Sequence, residues 1–260
     1  MSNSEVLTAR SLGGLEVVPV QKRAPFINIL IYGDSGVGKT TFAGSCDDVP
    51  DLRPGIVVDF EGGTESLVRT HPDIDQVRVT TWKEMQKVYD ELHRGKHGYS
   101  TVILDSLTEI QKFNMYQIME ETIAKRPDLD PDVPSMREWG KNLEQMRRFV
   151  RAFRDLPMNT VFTALKKEDK NDKTGMVTTL PSLSGKLAGE VAAFLDIVAY
   201  YYVKRIGSGQ DAEEKRMLLT AKTETIVAKD RTGKLPMVIE EPSMEKIFKL
   251  ISSTASAKKA

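Results

Sequence analysis

The chain has 260 residues, 40% apolar and 28% charged, which allows one α/β domain with a sizeable core. Lys plus Arg equals Asp plus Glu at 37 each, so no global charge draws the chain to nucleic acid and any basic surface has to be local. No apolar run nears the roughly 20 residues that cross a bilayer, residues 1–10 lack an apolar signal stretch, and the single Cys46 has no internal disulfide partner, so no membrane and a reducing cytoplasm are expected.

Residues 1–24 are polar and mixed and read as an arm before the core. Phe26 to Tyr32 (FINILIY) is a continuous apolar, β-branched run, the pattern of a strand buried on both faces. A glycine loop follows, then a short helix from about Lys39. Ile56 to Phe60 is a second buried strand and Val77 to Thr80 a short third. Trp82 to Leu92 has helical spacing. Thr101 to Leu104 is another buried strand, ending at Asp105, with a helix expected from Ser106 to Ala124. Pro127, Pro131 and Pro134, with Asp128, Asp130 and Asp132 among them, mark an acidic loop. Arg137 to Asp155 is an amphipathic helix whose stripe is Trp139, Leu143, Met146, Val150 and Phe153. Asn159 to Leu165 reads as a strand and Lys166 to Gly175 as a polar loop. Met176 to Leu180 reads as extended and Leu183 to Leu195 as helical. Ile197 to Val203, Met217 to Ala221 and Thr225 to Ala228 read as strands, and Ser243 to Ile251 as a last helix. Residues 252–260 are small and polar, a disordered tail by composition. Alternating strands and helices followed by clustered strands predict a parallel sheet extended by antiparallel C-terminal strands.

Gly33-Asp34-Ser35-Gly36-Val37-Gly38-Lys39-Thr40 fits GxxxxGK[ST], between a buried strand and a helix as that motif requires. The glycines let the backbone curl so that successive N–H groups face phosphate oxygens. Lys39 adds charge at the β- and γ-phosphates, and Thr40 offers a hydroxyl to Mg²⁺. Residues Gly33 through Thr41 are therefore the candidate ATP cradle. Asp105, ending an apolar strand, is the candidate Walker B carboxylate, holding Mg²⁺ together with Thr40. The alternative is an Asp that caps the following helix.

Asp59-Phe60-Glu61-Gly62 also matches the DxxG of GTPases. The later guanine-reading NKxD is missing, since the matching place reads Leu165-Lys166-Lys167-Glu168-Asp169. A GTPase reading also leaves Asp105 unexplained, so it ranks below an ATPase.

The segments INILIYGDSGVGKTTFA, IVVDFEGG, TVILDSLTEI, MNTVFTALKKE, LPSLSGKLAGEVAAFLDIVAYY and AKDRTGKLP, spread over residues 26–237, resemble the RecA-like P-loop ATPase core. Within it they resemble the phage-encoded RecA-core ATPases, the phage nucleotide-binding proteins linked to single-strand annealing recombination. The first segment is generic to P-loops, whereas LPSLSGKLAGEVAAFLD followed by AKDRTG is far more specific. The resemblance implies one RecA-like domain over residues 25–251, with Glu61 as the catalytic glutamate and Asp59 as a strand-end group. It implies Lys229 and Arg231 as a pair reaching the γ-phosphate of a neighbouring subunit, hence a homo-oligomer, ring or filament. It also implies single-stranded DNA as partner, with a single-strand-binding protein as a further one, in recombination, repair or replication in the cytoplasm of a host cell. RecA-type proteins carry a polar sensor after the strand that follows Walker B. Leu165 stands there, and Thr163 or Lys166 could substitute. Lys166, Lys167, Lys170 and Lys173 fall where such proteins bind DNA, but Glu168, Asp169 and Asp172 are interleaved and no aromatic residue accompanies them.

The other chemistry-bearing residues point to no second site. His71, His93 and His97 show no metal spacing, and the Arg-rich face of helix 137–155 is shared with acids. A second reading of another class stays open, a nucleotide-gated binding or assembly protein that uses ATP only to hold a conformation. Glu61 separates the two, because a binding-only protein needs no positioned base.

Overall fold

Strands made of β-branched and aliphatic residues without polar alternation need cover on both faces, and that requirement organises the chain. The computed structural model describes residues 10–17, 26–207 and 212–252. In chain order it runs β1 (Arg10–Leu12), β2 (Leu15–Val17), β3 (Asn28–Gly33), α1 (Lys39–Gly44), β4 (Gly55–Asp59), α2 (Glu65–Thr70), β5 (Asp75–Arg78), α3 (Trp82–Arg94), β6 (Thr101–Asp105) and α4 (Leu107–Ile123). It continues through α5 (Met136–Arg154), β7 (Asn159–Lys170), β8 (Val177–Pro181), α6 (Leu187–Phe194), β9 (Ile197–Ile206), β10 (Glu213–Leu219), β11 (Lys229–Asp230), β12 (Val238–Glu240) and α7 (Met244–Ser252). The polar tail expected over 252–260 lies outside the described residues except for Ser252, as does most of the N-terminal arm. The arm's described part is the small antiparallel hairpin β1–β2.

The main sheet has the order β12-β10-β9-β3-β7-β6-β4-β5, with β11 added to β9 and β8 to β7. From β9 to β5 every neighbouring pair on this path is parallel, while β10, β12, β11 and β8 join antiparallel. The α/β fold is therefore that of a P-loop NTPase, with a mainly parallel sheet extended by antiparallel C-terminal strands. The glycine-loop strand β3 and the Asp105 strand β6 are separated by β7.

Period-two alternation divides the buried residues between two layers. Leu30 and Tyr32 of β3, Val102 and Leu104 of β6, and Val198 of β9 pack against α3, α4, α5 and α6. Ile29, Ile31, Ile103, Ile197 and Tyr201 point to the opposite side, onto Phe42 of α1, Leu67 of α2, and Met244 and Ile247 of α7. Capping boxes at Thr81/Glu84 and Ser135/Glu138 start α3 and α5. The α5 stripe is seated through Met146, Val150 and Phe153, but its N-terminal member Trp139 runs off the core and stays 40% exposed.

The structure corrects two local readings. Lys166 to Gly175 is not simply a loop: β7 continues to Lys170 and pairs antiparallel with β8, from Lys166↔Pro181 to Lys170↔Val177. Lys166 to Lys170 are all polar, which leaves no hydrophobic alternation to read in that part of β7. Thr225 to Ala228 forms no strand of its own. It makes only the bridge Thr179↔Ile226, and the strand comes later, at Lys229–Asp230.

Candidate nucleotide site

Parallel strands gather their loops at the carboxyl ends, where α/β sheets bind ligands. Gly33, Asp59, Asp105 and Leu165 meet there from β3, β4, β6 and β7. The cleft they border holds about 800 Å³ and is lined by Ser35, Gly36, Gly38, Lys39, Thr40, Thr41, Glu61, Asp105 and Leu165, among others. That is within the range of small-molecule sites.

The loop's shape rests on its glycines. Gly36 and Gly38 have φ of 76° and 102°, a region that L side chains rarely adopt. Gly33 is needed for a different reason: a Cβ there would lie 2.1 Å from the Tyr201 carbonyl oxygen of β9. The Lys39 ammonium donates to the carbonyls of Gly33 (3.2 Å) and Asp34 (2.7 Å). Burial lowers its pKa, while Asp105, Glu61 and Asp34 pull it back up. Lys39 thus spans its own loop and lies within the field of the candidate base Glu61 and the candidate Mg²⁺ carboxylate Asp105.

Thr40 Oγ1 donates to Asp105 Oδ2 at 2.7 Å, and Thr163 Oγ1 of β7 donates to Asp105 Oδ1. Asp105 is buried, with no lysine or arginine ion-paired to it among the described residues. A buried carboxylate with hydroxyl partners and no direct ion pair, only the nearby Lys39 ammonium, suits a further cation. The described residues hold no cluster of three or more His, Cys, Asp or Glu that would cage a metal alone. The donor set thus fits Mg²⁺ of the kind that shares its shell with phosphate and water.

Glu61 reaches the cleft from the turn after β4. Asp59 Oδ1 accepts the amides of Glu61 (3.0 Å) and Gly62 (2.7 Å), and its Oδ2 pairs with Arg78 at 2.9 Å. Asp59 therefore holds the turn, which accounts for the DxxG-like pattern without guanine chemistry. The Ser106 hydroxyl donates to Glu61 Oε1 and fixes the carboxylate's direction.

Other expected residues are placed differently. Lys229 and Arg231 are not brought to the nucleotide cleft of their own chain. β11 pairs with the start of β9, so both sit at the end of the sheet opposite the glycine loop. Lys229 Nζ donates to the carbonyls of Ala192 (2.6 Å) and Leu195 (3.1 Å), and burial lowers its pKa, with Arg231 adding to the effect. Arg231 binds Asp196 at 3.1 Å and the Ala193 carbonyl at 3.0 Å. Of the hairpin lysines, Lys166 pairs with Asp34 of the glycine loop at 3.1 Å and Lys167 donates to the Leu183 carbonyl. Leu165 does line the cleft, while the polar contact to Asp105 comes from Thr163. Cys46 is buried, its thiol pushed up to about 12 chiefly by burial, which fits an inert packing residue.

Sequence reasoning missed Arg216. From β10 its Nε donates to the Val37 carbonyl at 3.3 Å, and its guanidinium lines the cleft beside Tyr201, Pro242 and Ser243. Only the antiparallel pairing of β10 on β9 brings it there, and a lone arginine in a strand carries no signal of that. Arg69, Thr70 and His71, at the end of the unanticipated α2, also line the cleft.

A family model described as an AAA domain matches residues 26–232. The chain belongs to this AAA-domain family. ATP binding and hydrolysis at a P-loop is the general activity that goes with such a core. No curated protein matches this AAA-domain chain. Solved structures that it resembles include an ATPase from the type III secretion system of pathogenic bacteria, at 16% identity and TM-score 0.43, over 68% of this chain and 51% of that one. They also include the assembled ATPase EscN from the type III secretion system of enteropathogenic E. coli, at 15% identity and TM-score 0.42, over 68% and 43%. EssC from Geobacillus thermodenitrificans is matched at 11% identity and TM-score 0.34, over 75% and 35%. The AAA-domain chain spans about half or less of the length of these structures. No helix among its described residues is long and apolar enough to cross a membrane.

Proposed function

We propose that this protein hydrolyses ATP to ADP and phosphate with Mg²⁺ and works as a homo-oligomer on single-stranded DNA, in recombination, repair or replication of the phage type. The observation that carries the catalytic part is the convergence of Glu61, Lys39, Thr40 and Asp105 on one cleft at the carboxyl ends of the sheet. The loop amides of Gly36 to Thr41 cradle the phosphates, and Lys39 exchanges its contacts with the loop carbonyls for phosphate oxygens. Thr40 and Asp105 would hold Mg²⁺, which when bound neutralises charge on the β- and γ-phosphates. Glu61 accepts a proton from the attacking water as its oxygen bonds to the γ-phosphorus. The bond from that phosphorus to the β–γ bridging oxygen breaks, and ADP leaves with its electrons. Thr163, through Asp105, is the polar group on β7 that could register the γ-phosphate.

Lys229 and Arg231 lie far from their own glycine loop, so any nucleotide they touch would be a neighbouring subunit's, and assembly rests on the resemblance. The single-stranded DNA and phage-type role rest on the resemblance of residues 26–237 and on the projecting lysine hairpin. The domain would span 25–251, with 1–24 as an arm. ATP turnover measured with and without single-stranded DNA tests the proposal. Mg²⁺-dependent turnover that DNA stimulates is expected. ATP bound but never turned over would instead favour the nucleotide-gated binding protein.

A further inference from the structure

A second cleft, of about 730 Å³, lies between the start of α5 and the segment 182–186, away from the nucleotide. We propose that it takes a base and the adjoining phosphate of a single-stranded nucleic acid, the base stacked on Trp139 and the phosphate held by Lys186 and Lys167. This rests on the single-stranded DNA reading above and assigns it a different anchor.

Trp139 is 40% exposed and Met136 is 87% exposed, on an amphipathic helix that buries Met146, Val150 and Phe153 completely. Beside the indole stands Gly140. A glycine inside a helix costs about 0.5–1 kcal/mol relative to alanine. Here a Cβ would meet nothing within 4 Å, so packing within the chain does not call for it. Bare backbone beside an exposed indole leaves a flat platform open to a planar ligand.

The electrostatics agree. The lining residues include Arg147, Lys167 and Lys186 and no acid. Arg147 is already held by Glu190 at 2.6 and 2.7 Å. The Lys186 ammonium is exposed and makes no side-chain hydrogen bond or salt bridge among the described residues, though it lies within the field of Glu190. An aromatic face with lysines around it is the chemistry that takes a stacked base and its phosphate without sequence preference. The aromatic partner missing from the lysine hairpin is thus supplied by a different element.

The cleft is also bolted to the nucleotide site. Along β7, Leu165 lines the nucleotide cleft, Lys166 pairs with Asp34 and Lys167 lines this one. Thr108 Oγ1, three residues after Asp105, accepts the Leu165 amide (3.1 Å) and donates to the Ser182 carbonyl (3.3 Å). Gln111, one turn further along α4, accepts the Ser184 amide at 2.8 Å and donates to Asn142 of α5 at 2.9 Å. Both walls of the cleft therefore hang on the helix that follows the Mg²⁺-binding carboxylate. Nucleotide and nucleic acid should then alter each other's affinity by the same factor.

The test uses the full chain, a fluorescein-labelled oligo(dT) followed by anisotropy, and Trp139 emission. The chain's only other tryptophan, Trp82, is buried, so the difference between wild type and Trp139→Phe isolates the Trp139 signal. Expected are quenching of that signal by oligo(dT), about tenfold or more weaker binding in Trp139→Ala and in Lys186→Glu, near-wild-type binding in Trp139→Phe, and unchanged DNA-free ATP turnover in all three. Equal oligo(dT) affinity in wild type and Trp139→Ala, with no quenching, overturns the cleft while leaving the DNA reading standing. No oligo(dT) binding by a wild-type protein that turns over ATP overturns both. A smaller assembly in Trp139→Ala with unchanged oligo(dT) affinity makes the cleft a contact between copies of the chain and overturns the proposal.

Discussion

Glu61 stands on a turn that Asp59 holds and points where Ser106 directs it. Glu61→Gln keeps shape and hydrogen bonding but loses the base, so ATP binding should persist while turnover drops by about 10²-fold or more. Single-turnover kinetics check this. A harmless Glu61→Gln beside a crippling Asp59→Asn would mean that the base is Asp59. Ser106→Ala removes one orienting hydrogen bond and should lower turnover only about 2- to 10-fold. Lys39 adds a pH signature. Its folded-state pKa is depressed by burial, so on the alkaline side its proton leaves before the ordinary 10.5 is reached. The midpoint of the alkaline fall in ATP affinity should therefore lie below pH 10.5, and a midpoint at or above that value contradicts the reading. At this scale the sequence was informative where one residue follows a strand in a fixed order, as Lys39, Thr40, Glu61 and Asp105 do. Arg216 was silent and Thr163 was named only as one of two substitutes for the sensor, because their place depends on which strand lies beside which.

Elements were legible where burial imposes a period. β3, β4 and β6 read as unbroken apolar runs because they lie between two helical layers. Of the β7–β8 ribbon, β8 was legible as an extended stretch, but the continuation of β7 to Lys170 was not, since Lys166 to Lys170 are all polar. Reversing the charge of Lys166, Lys167, Lys170 and Lys173 should weaken single-strand binding and flatten its salt dependence, by about 0.7 in log–log slope for each phosphate no longer neutralised. A salt titration of binding reads this, and an unchanged slope would remove the ribbon from the interface. Strand packing gives a stability prediction as well. Gly33→Ala drives a Cβ against the Tyr201 backbone carbonyl of β9, a clash that no rotamer relieves. Chemical denaturation should show a loss of about 2–4 kcal/mol. A drop in stability of under about 0.5 kcal/mol would mean that β3 and β9 separate easily.

In the whole molecule, the antiparallel strands added beyond β9 do two things. β10 brings Arg216 to the nucleotide cleft, and β11 carries Lys229 and Arg231 to the far end of the sheet. Clustered late strands were readable in the sequence, but the end of the sheet at which each basic residue emerges was not, because it depends on strand direction. The far placement makes an assembly prediction. Glu61→Gln keeps its Arg231 and Arg231→Ala keeps its Glu61, so each alone should be nearly inactive and a mixture should regain turnover at interfaces that pair the two intact residues. A mixture that co-assembles yet stays inactive would reduce Arg231 to its salt bridge with Asp196.

The central claim is that Mg²⁺ and ATP meet Lys39, Thr40, Asp105 and Glu61 in one cleft and that hydrolysis follows. Steady-state phosphate release, with and without Mg²⁺, in wild type and Lys39→Ala tests it most directly. Turnover by the wild type that disappears both when Mg²⁺ is withheld and when Lys39 is replaced is the predicted result. Turnover that survives in Lys39→Ala, or that runs undiminished without Mg²⁺, would contradict it.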